Sequence, residues 1–234
     1  MRASDIVRRL QALGDHDRAR DLQRFFKTAP GEYGAGDVFA GLCVPEIRQL
    51  AREYQALLLP EIIRLLHSPI HEARLLALFI LIQAYRRGEA ARQERIFKLY
   101  LQSTRFINNW DLVDASAEHI AGAYLRYRSR SPLRTLSGSS LLWDRRISIL
   151  ATFHYIKHGE FAETLRIAEL LLRDQEDLIH KAVGWMLREV GKRRLPAEET
   201  FLKKHYRIMP RTMLRYAIEK FPEKLRQRYL LGKA

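Results

Sequence analysis

A tryptophan and two aspartates lie close together in Asn108–His119, NNWDLVDASAEH, inside an otherwise apolar helical pattern. Trp110 and Asp114 are four residues apart, so a helix would project both side chains from one face as neighbours. The pair can do chemistry, because a carboxylate can stabilise developing positive charge or orient water. Core packing for Trp110, and a helix cap or ion pair for Asp114, are the alternatives. Asp111 is expected to be a capping or structural acid.

A second tryptophan lies in His180–Lys192, HKAVGWMLREVGK, and cations flank it at helical spacing. One face of this helix would carry a stripe of four residues at positions i, i+4, i+7 and i+11: Lys181, Trp185, Arg188 and Lys192. Burying three cations would be costly, so this stripe is a poor core face. It suits nucleic acid, with cations for phosphates and an indole for a sugar or base. Core packing of Trp185 is again the alternative.

Motifs for nucleotide, metal or acyl-transfer chemistry are missing from the sequence. It contains no phosphate-binding glycine loop before Lys-Ser or Lys-Thr, no HExxH, no GxSxG and no dinucleotide fingerprint. Cys43 is the only cysteine, which argues against disulfides and thiolate clusters. The scattered histidines are expected to lie at the surface or between helices. We therefore expect no metal and no cofactor.

The chain is strongly basic. It has 41 Lys and Arg against 27 Asp and Glu, a formal charge of +14. This balance favours a polyanionic partner, nucleic acid first and anionic membrane second, with an ordinary basic protein as the alternative. No segment approaches the ~18 apolar residues of a membrane span, and the N-terminus lacks a signal-peptide core. We expect a soluble, cytoplasmic protein.

The periodicity of apolar residues is helical almost throughout, which predicts an all-α fold. Pro30–Gly41 is expected to be a loop because of its glycine and proline content. Helices are predicted over about 3–13, 16–28, 45–57, 59–67, 69–87, 90–103, 109–127, 140–158, 160–172, 176–192, 196–206, 211–220 and 222–230.

Short connections between these helices favour a solenoid of stacked helix pairs, with a closed bundle as the alternative. We predict one domain over residues 1–234. Basic residues concentrate in Tyr124–Arg146 and Lys203–Arg228. In a curved stack these segments can line one concave surface and match the phosphate rows of a duplex. Solvated basic faces without a partner are the alternative.

Three motifs, in order and roughly evenly spaced, resemble the AlkD-like DNA alkylation repair glycosylases. They are WDLVD at Trp110–Asp114, WDRRISIL at Trp143–Leu150 and HKAVGWMLREVGK at His180–Lys192. The segments PGEYGAGDVFAGLCVPEIRQL and MPRTMLRYAIEKFPEKLR are also similar to that family, so the resemblance covers nearly the whole chain. It implies a curved right-handed solenoid of HEAT-like antiparallel helix pairs with a basic concave face.

The resemblance also implies roles for particular residues. Asp114 matches the catalytic carboxylate, Trp110 and Trp185 match the two sugar-facing tryptophans, and Arg146 matches the phosphate-contacting arginine. Arg188 is expected to be a second phosphate contact. Further DNA contacts are expected from Arg48, Arg145, Lys181, Lys192, Arg211 and Arg215. Members often carry a tyrosine in the second helix, where the matching region of this chain reads Arg24-Phe25-Phe26. If Phe25 is the match, the hydroxyl contact is missing.

The implied activity is monofunctional DNA glycosylase action on N3- or N7-alkylated purines, with Asp114 stabilising the oxocarbenium sugar. The expected partner is duplex DNA containing alkylated bases. No membrane and no obligate protein partner is expected, and the protein is expected to be a monomer, associated with the nucleoid during repair. The alternatives are a non-catalytic HEAT-like DNA-binding scaffold and a protein-interaction solenoid.

Overall fold

The computed structural model describes all residues, 1–234, and its secondary structure is helical. The only β-type pairing is an isolated bridge between Val38 and Ile70. The predicted all-α fold is therefore confirmed. None of the helices combines the length and apolar character that crossing a membrane requires.

Two compact units make up the chain, an N-terminal unit of Met1–Ser116 and a C-terminal unit of Ala117–Ala234. The single domain, the right-handed curvature and the basic concave face stay predictions.

The N-terminal unit contains seven α-helices and a 3-10 turn at Thr104–Phe106. The α-helices are α1 Ala3–Leu13, α2 His16–Phe25, α3 Val44–Glu53, α4 Leu59–Leu66, α5 His71–Arg87, α6 Ala90–Gln102 and α7 Trp110–Ser116. Helix α5 is buried over nearly its whole length and contacts α1, α3, α4, α6 and α7. Residues 75–82 of α5 are apolar on every side, as in a helix that is buried, and α5 forms the centre of this unit.

The C-terminal unit begins with a π-helical turn, Glu118–Gly122, and contains a 3-10 turn at Ile218–Lys220. Its α-helices are α8 Ala123–Leu125, α9 Ser131–Ser137, α10 Leu142–Ala151, α11 Phe153–Lys157, α12 Ala162–Leu170, α13 Asp177–His205, α14 Arg211–Ala217 and α15 Glu223–Leu230. Helix α13 contacts α10, α11, α12 and α14, and is the centre of this unit. It breaks at Arg194, which has non-helical backbone angles.

Proline marks several helix starts. Pro45 and Pro60 occupy the first turns of α3 and α4, while Pro210 and Pro222 directly precede α14 and α15. The first turn tolerates proline because its backbone N–H groups have no partner within the helix.

The Pro30–Gly41 segment lacks helix, as predicted, and is attached to the start of α5. The backbone N–H of His71 donates to the Val38 carbonyl at 2.8 Å. The buried carboxylate of Glu72 accepts backbone N–H bonds from Ala40 at 2.9 Å and Gly41 at 2.8 Å. Gly41 has a φ of +89°, and an added Cβ would lie 2.1 Å from the Asp15 carbonyl oxygen. Only glycine fits at position 41.

Candidate functional site

Trp110 and Asp114 both lie on α7, at the separation that the sequence predicts. Trp110 is the first residue of the helix, and both side chains are half-buried. The buried Asn109 precedes them, and its carbonyl accepts the N–H of Val113 at 3.2 Å. The Asn109 side-chain oxygen accepts the N–H of Trp110 at 2.8 Å. The start of α7 is thus fixed by a buried asparagine.

Aromatic rings hold Trp110 from one side. Phe26 is stacked on it with ring centroids 5.2 Å apart, and Phe25 meets it edge-on at 5.9 Å. Phe25 is 63% exposed. Together with Phe39 and aliphatic side chains, these residues line a cleft of about 390 Å³. The indole of Trp110 thus packs against the two phenylalanine rings, and the Phe25 ring is also exposed to solvent.

A buried carboxylate, Asp37, lies beneath the start of α7 and accepts hydrogen bonds at both oxygens. Arg74 Nη2 donates to Oδ1 at 2.6 Å, and Asn108 Nδ2 donates to the same oxygen at 3.2 Å. Asn109 Nδ2 donates to Oδ2 at 3.3 Å, and His71 Nδ1 lies 3.1 Å from it. Burial alone would raise the pKa of Asp37, but the His71 hydrogen bond and the positive charges of Arg74 and His71 bring it below its ordinary value.

His71 lies between two carboxylates. Its Nδ1 faces Asp37, and its Nε2 lies 2.8 Å from Oδ2 of Asp111, the residue that follows Trp110. The imidazole is 3% exposed and stacks on Phe39 at 4.6 Å. Burial favours the neutral form, but the hydrogen bonds to Asp111 and Asp37 outweigh it and raise the pKa of His71. We refer to Asp37, His71, Arg74 and Asp111 as the Asp37 network.

Asp111 has a structural role in this geometry, as the sequence predicts. One oxygen contacts His71, and the other accepts the backbone N–H of Leu112 at 2.9 Å. The other three members of the Asp37 network were not singled out from the sequence. The sequence marks them only as polar residues, Asp37 in the glycine-rich loop and His71 and Arg74 at the start of the largely apolar helix α5.

The two neighbouring arginines of α10 are placed differently. Arg146 is 5% exposed, and its Nη1 donates to the Leu178 carbonyl at 2.6 Å. Arg145 donates through Nε to Asp174 Oδ2 at 2.6 Å, and through Nη1 to the carbonyls of Ser139 and Ser140, each at 3.0 Å. Their predicted phosphate contacts stay predictions.

The stripe on α13 exists as predicted, with acidic partners for its cations. Trp185 is half-buried, with its ring centroid 5.8 Å from that of Phe153. The ion pairs are Lys181 with Asp177 at 2.7 Å, Lys192 with Glu189 at 2.6 Å, and Arg188 with Glu219. Lys181 and Lys192 retain about 40% side-chain exposure, whereas Arg188 retains 16%.

The three remaining candidate cations are exposed. Arg48 lies over the Phe79 ring, 4.3 Å from its centroid, in the N-terminal unit. In the C-terminal unit, Arg211 donates to the Leu230 carbonyl at 2.8 Å, and Arg215 lies on the same helix, α14. No group of three or more His, Cys, Asp or Glu side chains is arranged to hold a metal ion.

The chain is similar to one protein family and to several solved structures. A family model described as DNA alkylation repair enzyme matches residues 6–221. A solved structure described as a predicted DNA alkylation repair enzyme from Enterococcus faecalis aligns with a TM-score of 0.68 at 18% identity, covering 90% of this chain and 97% of that one. AlkD2 from Streptococcus mutans aligns with a TM-score of 0.54 at 17% identity, covering 94% and 99%. At these identities, the structural likeness supports the fold alone. No curated protein matches the chain.

Proposed function

Because the chain belongs to the DNA alkylation repair enzyme family, we propose that it is a monofunctional DNA glycosylase that removes N3- or N7-alkylated purines from duplex DNA. The 3-methyladenine and 7-methylguanine types are the expected substrates. The observation that carries this proposal is the half-buried pair of Trp110 and Asp114 at the start of α7. The pair offers a carboxylate and an indole side by side on one helix.

One carboxylate is enough for this reaction. A purine alkylated at N3 or N7 already carries positive charge, so it can leave without being protonated. The barrier lies in the developing oxocarbenium sugar, and a carboxylate close to that sugar stabilises the charge where it forms. Asp114 has this role, and it also orients or deprotonates the attacking water. Ordinary glycoside hydrolysis needs a second carboxyl group to protonate the leaving group.

The tryptophans supply a second source of stabilisation. The face of an aromatic ring is negative, so an indole against the sugar contributes about 0.5 to 2 kcal/mol of cation–π energy. The stacking of Trp110 on Phe26 supports this role. Trp185 is assigned the same role because its segment resembles the family motif.

The basic residues bind the DNA backbone. Arg146 and Arg188 are the proposed phosphate contacts, with Lys181 and Lys192 beside Trp185 on α13. Each of the two lysines forms a partly exposed pair with an acid, at 2.7 Å and 2.6 Å. The Lys181 pair is exposed on both sides and contributes at most about 1 kcal/mol, so a DNA phosphate can replace Asp177 at low cost. Glu189 is buried, but it keeps Arg193 as a partner if a phosphate takes its place at Lys192.

The decisive experiment incubates the purified chain with methylated duplex DNA and identifies released bases by chromatography and mass spectrometry. We expect free 3-methyladenine or 7-methylguanine, with the abasic strand left uncleaved. Addition of a chelator should leave the rate unchanged, because no metal has a role in the proposed reaction.

Asp114→Asn tests the assigned carboxylate. It should abolish base release while duplex binding remains measurable, since the change keeps the size of the side chain. Asp17→Asn, at an exposed position on α2, removes the same charge and should release bases at the wild-type rate. Release at the wild-type rate by Asp114→Asn would refute the role of Asp114. Tight, salt-dependent binding without any release by the wild-type chain would favour the non-catalytic scaffold.

A further inference from the structure

The Asp37 network ends at Asp111, the residue that follows Trp110 in the first turn of α7. We propose that Asp37, acting through His71, is a positioning residue that sets the orientation of Trp110 and Asp114 for base release. This inference rests on the proposed function, and it adds to it residues that lie 36 or more positions before α7 in the sequence.

Asp37 holds the start of α7 directly. Its two oxygens accept hydrogen bonds from Asn108 at 3.2 Å and Asn109 at 3.3 Å, the two residues that precede the helix. Arg74 donates to the same carboxylate at 2.6 Å from α5, the central helix of the unit. Because all of these groups are buried or half-buried, their hydrogen bonds fix the backbone at Trp110 more firmly than exposed contacts would.

His71 extends the hold into the first turn of α7. An ionised carboxylate only accepts hydrogen bonds, so contacts to both Asp37 and Asp111 require that both ring nitrogens carry protons. The imidazolium then bridges two carboxylates, at 3.1 Å and 2.8 Å. Phe39 stacks on the ring at 4.6 Å, and Phe26 lies 5.1 Å from it. The same Phe26 ring also stacks on Trp110, so ring packing and hydrogen bonds act on one turn.

Stability alone is a poor reason for this arrangement. Buried charged groups are costly to desolvate, and apolar side chains of similar volume often hold helices at least as firmly. Hydrogen bonds of fixed direction add orientation, which apolar packing supplies less well. Reaction rates respond strongly to orientation, because a displacement of about 1 Å can cost on the order of 100-fold.

The network also predicts a pH dependence. The charged groups that face His71 are Asp37 from the loop, Asp111 from α7 and Arg74 from its own helix. Glu72, its neighbour on α5, points its carboxylate at the backbone of residues 40–42. The pKa of His71 is raised in the folded protein, so its contribution is complete below its unfolded pKa and is lost as the pH rises through the folded pKa. Base release should therefore fall on the alkaline side.

Single-turnover kinetics of Asp37→Asn and His71→Gln test the inference. Both should lower the rate of base release by about 10-fold to 100-fold, while the Kd for duplex DNA changes less than 2-fold. His71→Gln should also remove the alkaline fall in rate. A loss that appears in Kd and leaves the single-turnover rate unchanged would overturn the positioning role.

The matched control is Glu163→Gln, which neutralises a buried acid paired with Arg134 at 3.1 Å in the C-terminal unit. It should leave both the rate and its pH profile unchanged. If Glu163→Gln lowers the rate as much as Asp37→Asn, the effect belongs to general destabilisation and the inference is wrong.

A readout without activity separates this inference from the proposed function. Hydrogen exchange of residues 108–116 should be faster in Asp37→Asn than in the wild type, with the C-terminal unit unchanged. Imidazole NMR should show a lower pKa for His71 in the same variant, with the signal assigned through His71→Gln. Unchanged exchange and an unchanged His71 pKa would overturn the inference even if bases are released. An absence of release by the wild type would contradict only the proposed function.

Discussion

The helix that carries Trp110 and Asp114 begins on buried polar contacts in the N-terminal unit, whereas two candidate cations of the C-terminal unit, Lys181 and Lys192, rest on partly exposed ion pairs. The side chains of Asp37 and His71 are each 3% exposed, but Lys181 and Lys192 keep about 40% of their surface in solvent. Buried charge pairs are costly to break, and exposed ones contribute little. The buried contacts of the N-terminal unit thus fix the position of α7, whereas the lysines of α13 can exchange their acidic partners for a phosphate.

A second contrast concerns two buried carboxyl groups. Asp37 accepts hydrogen bonds at both oxygens, and its pKa lies below the ordinary value despite burial. Glu198 of the C-terminal unit is 1% exposed, and its Oε1 has no hydrogen-bond partner. Burial and the nearby Glu199 raise the pKa of Glu198 to about 8, against the opposing charge of Arg188. Burial therefore has opposite outcomes, depending on whether donors surround the group.

The largest expected effect is that of Asp37→Ala. The change leaves the buried cation of Arg74 without its carboxylate, so we expect the free energy of unfolding to fall by about 3 to 5 kcal/mol at pH 7. Chemical denaturation of the full chain measures this loss, and hydrogen exchange should place it in the N-terminal unit. A loss below 1 kcal/mol would show that the network does not carry the stability of that unit.

Glu198→Gln should act in the opposite direction. Since the pKa of Glu198 is raised above that of the unfolded chain, the folded state binds more protons between pH 4.5 and about 8, and wild-type stability falls across that range. The rise of the pKa from 4.5 to about 8, at about 1.4 kcal/mol per pKa unit, sets an upper bound of about 5 kcal/mol on the gain in stability of the variant at pH 9. At pH 4 this advantage should vanish. Denaturant unfolding of both proteins at pH 4, 7 and 9 measures the difference in stability. A difference that does not change with pH would contradict the raised pKa of Glu198.

Arg145→Ala should have an intermediate effect. Its guanidinium holds the buried Asp174 and two backbone carbonyls, so removing it should cost about 2 kcal/mol of stability, the range for hydrogen bonds to charged groups. The Arg145 side chain is only 16% exposed and its partner Asp174 5%, so Arg145 is less available to a phosphate than Lys181 or Lys192, and the salt dependence of DNA binding should change little. Thermal unfolding and binding across a salt series measure both. An unchanged melting temperature with a weaker salt dependence would mean that Arg145 contacts phosphate.

Much of the fold follows from local sequence patterns. The apolar period over 3–13 and the prolines at 45 and 60 predict helices that the structure contains. Helix α9, Ser131–Ser137, was not predicted, because only Leu133 and Leu136 give its seven residues an apolar side. A single helix was predicted over 140–158, but it is interrupted at Thr152, between α10 and α11.

The continuous helix predicted over 109–127 contains a π-helical turn at Glu118–Gly122. An added Cβ on Gly122 would lie 2.2 Å from the Ala151 carbonyl oxygen, so close packing between elements accompanies the turn. Apolar periodicity cannot reveal such a contact, because it depends on a residue 29 positions away. Functional sites often contain π turns, and this one begins four residues after Asp114.

The candidate site was only partly predictable for the same reason. Trp110 and Asp114 are one helical turn apart, so their spacing follows from a local rule. The contact between Asp37 and His71 spans 34 residues, and that between His71 and Asp111 spans 40. Local periodicity cannot predict that these residues contact one another. The spacing of the histidines in the sequence does not indicate that one of them lies between two carboxylates.

Charge counts along the sequence also leave out the ion pairs that form in the fold. Tyr124–Arg146 contains six arginines and one acid, Asp144. Four of these arginines pair with acids that lie 29 to 34 residues later in the chain. The pairs are Arg126 and Arg130 with Glu160, Arg134 with Glu163, and Arg145 with Asp174. The positive charge available to DNA therefore depends on the free energy needed to separate each arginine from its acidic partner.

Lys192→Ala should have the smallest effect on stability and a clear effect on binding. Its partner Glu189 also pairs with Arg193 at 2.9 Å, so losing Lys192 leaves that acid compensated and should change the free energy of unfolding by less than about 0.5 kcal/mol. If a DNA phosphate takes the place of Glu189, the slope of log K against log salt should shrink by about 1, uniformly across sequences. Titrations from low to physiological salt measure that slope. An unchanged slope would place Lys192 outside the DNA contact, and a large loss of stability would show that even partly exposed pairs hold the C-terminal unit together.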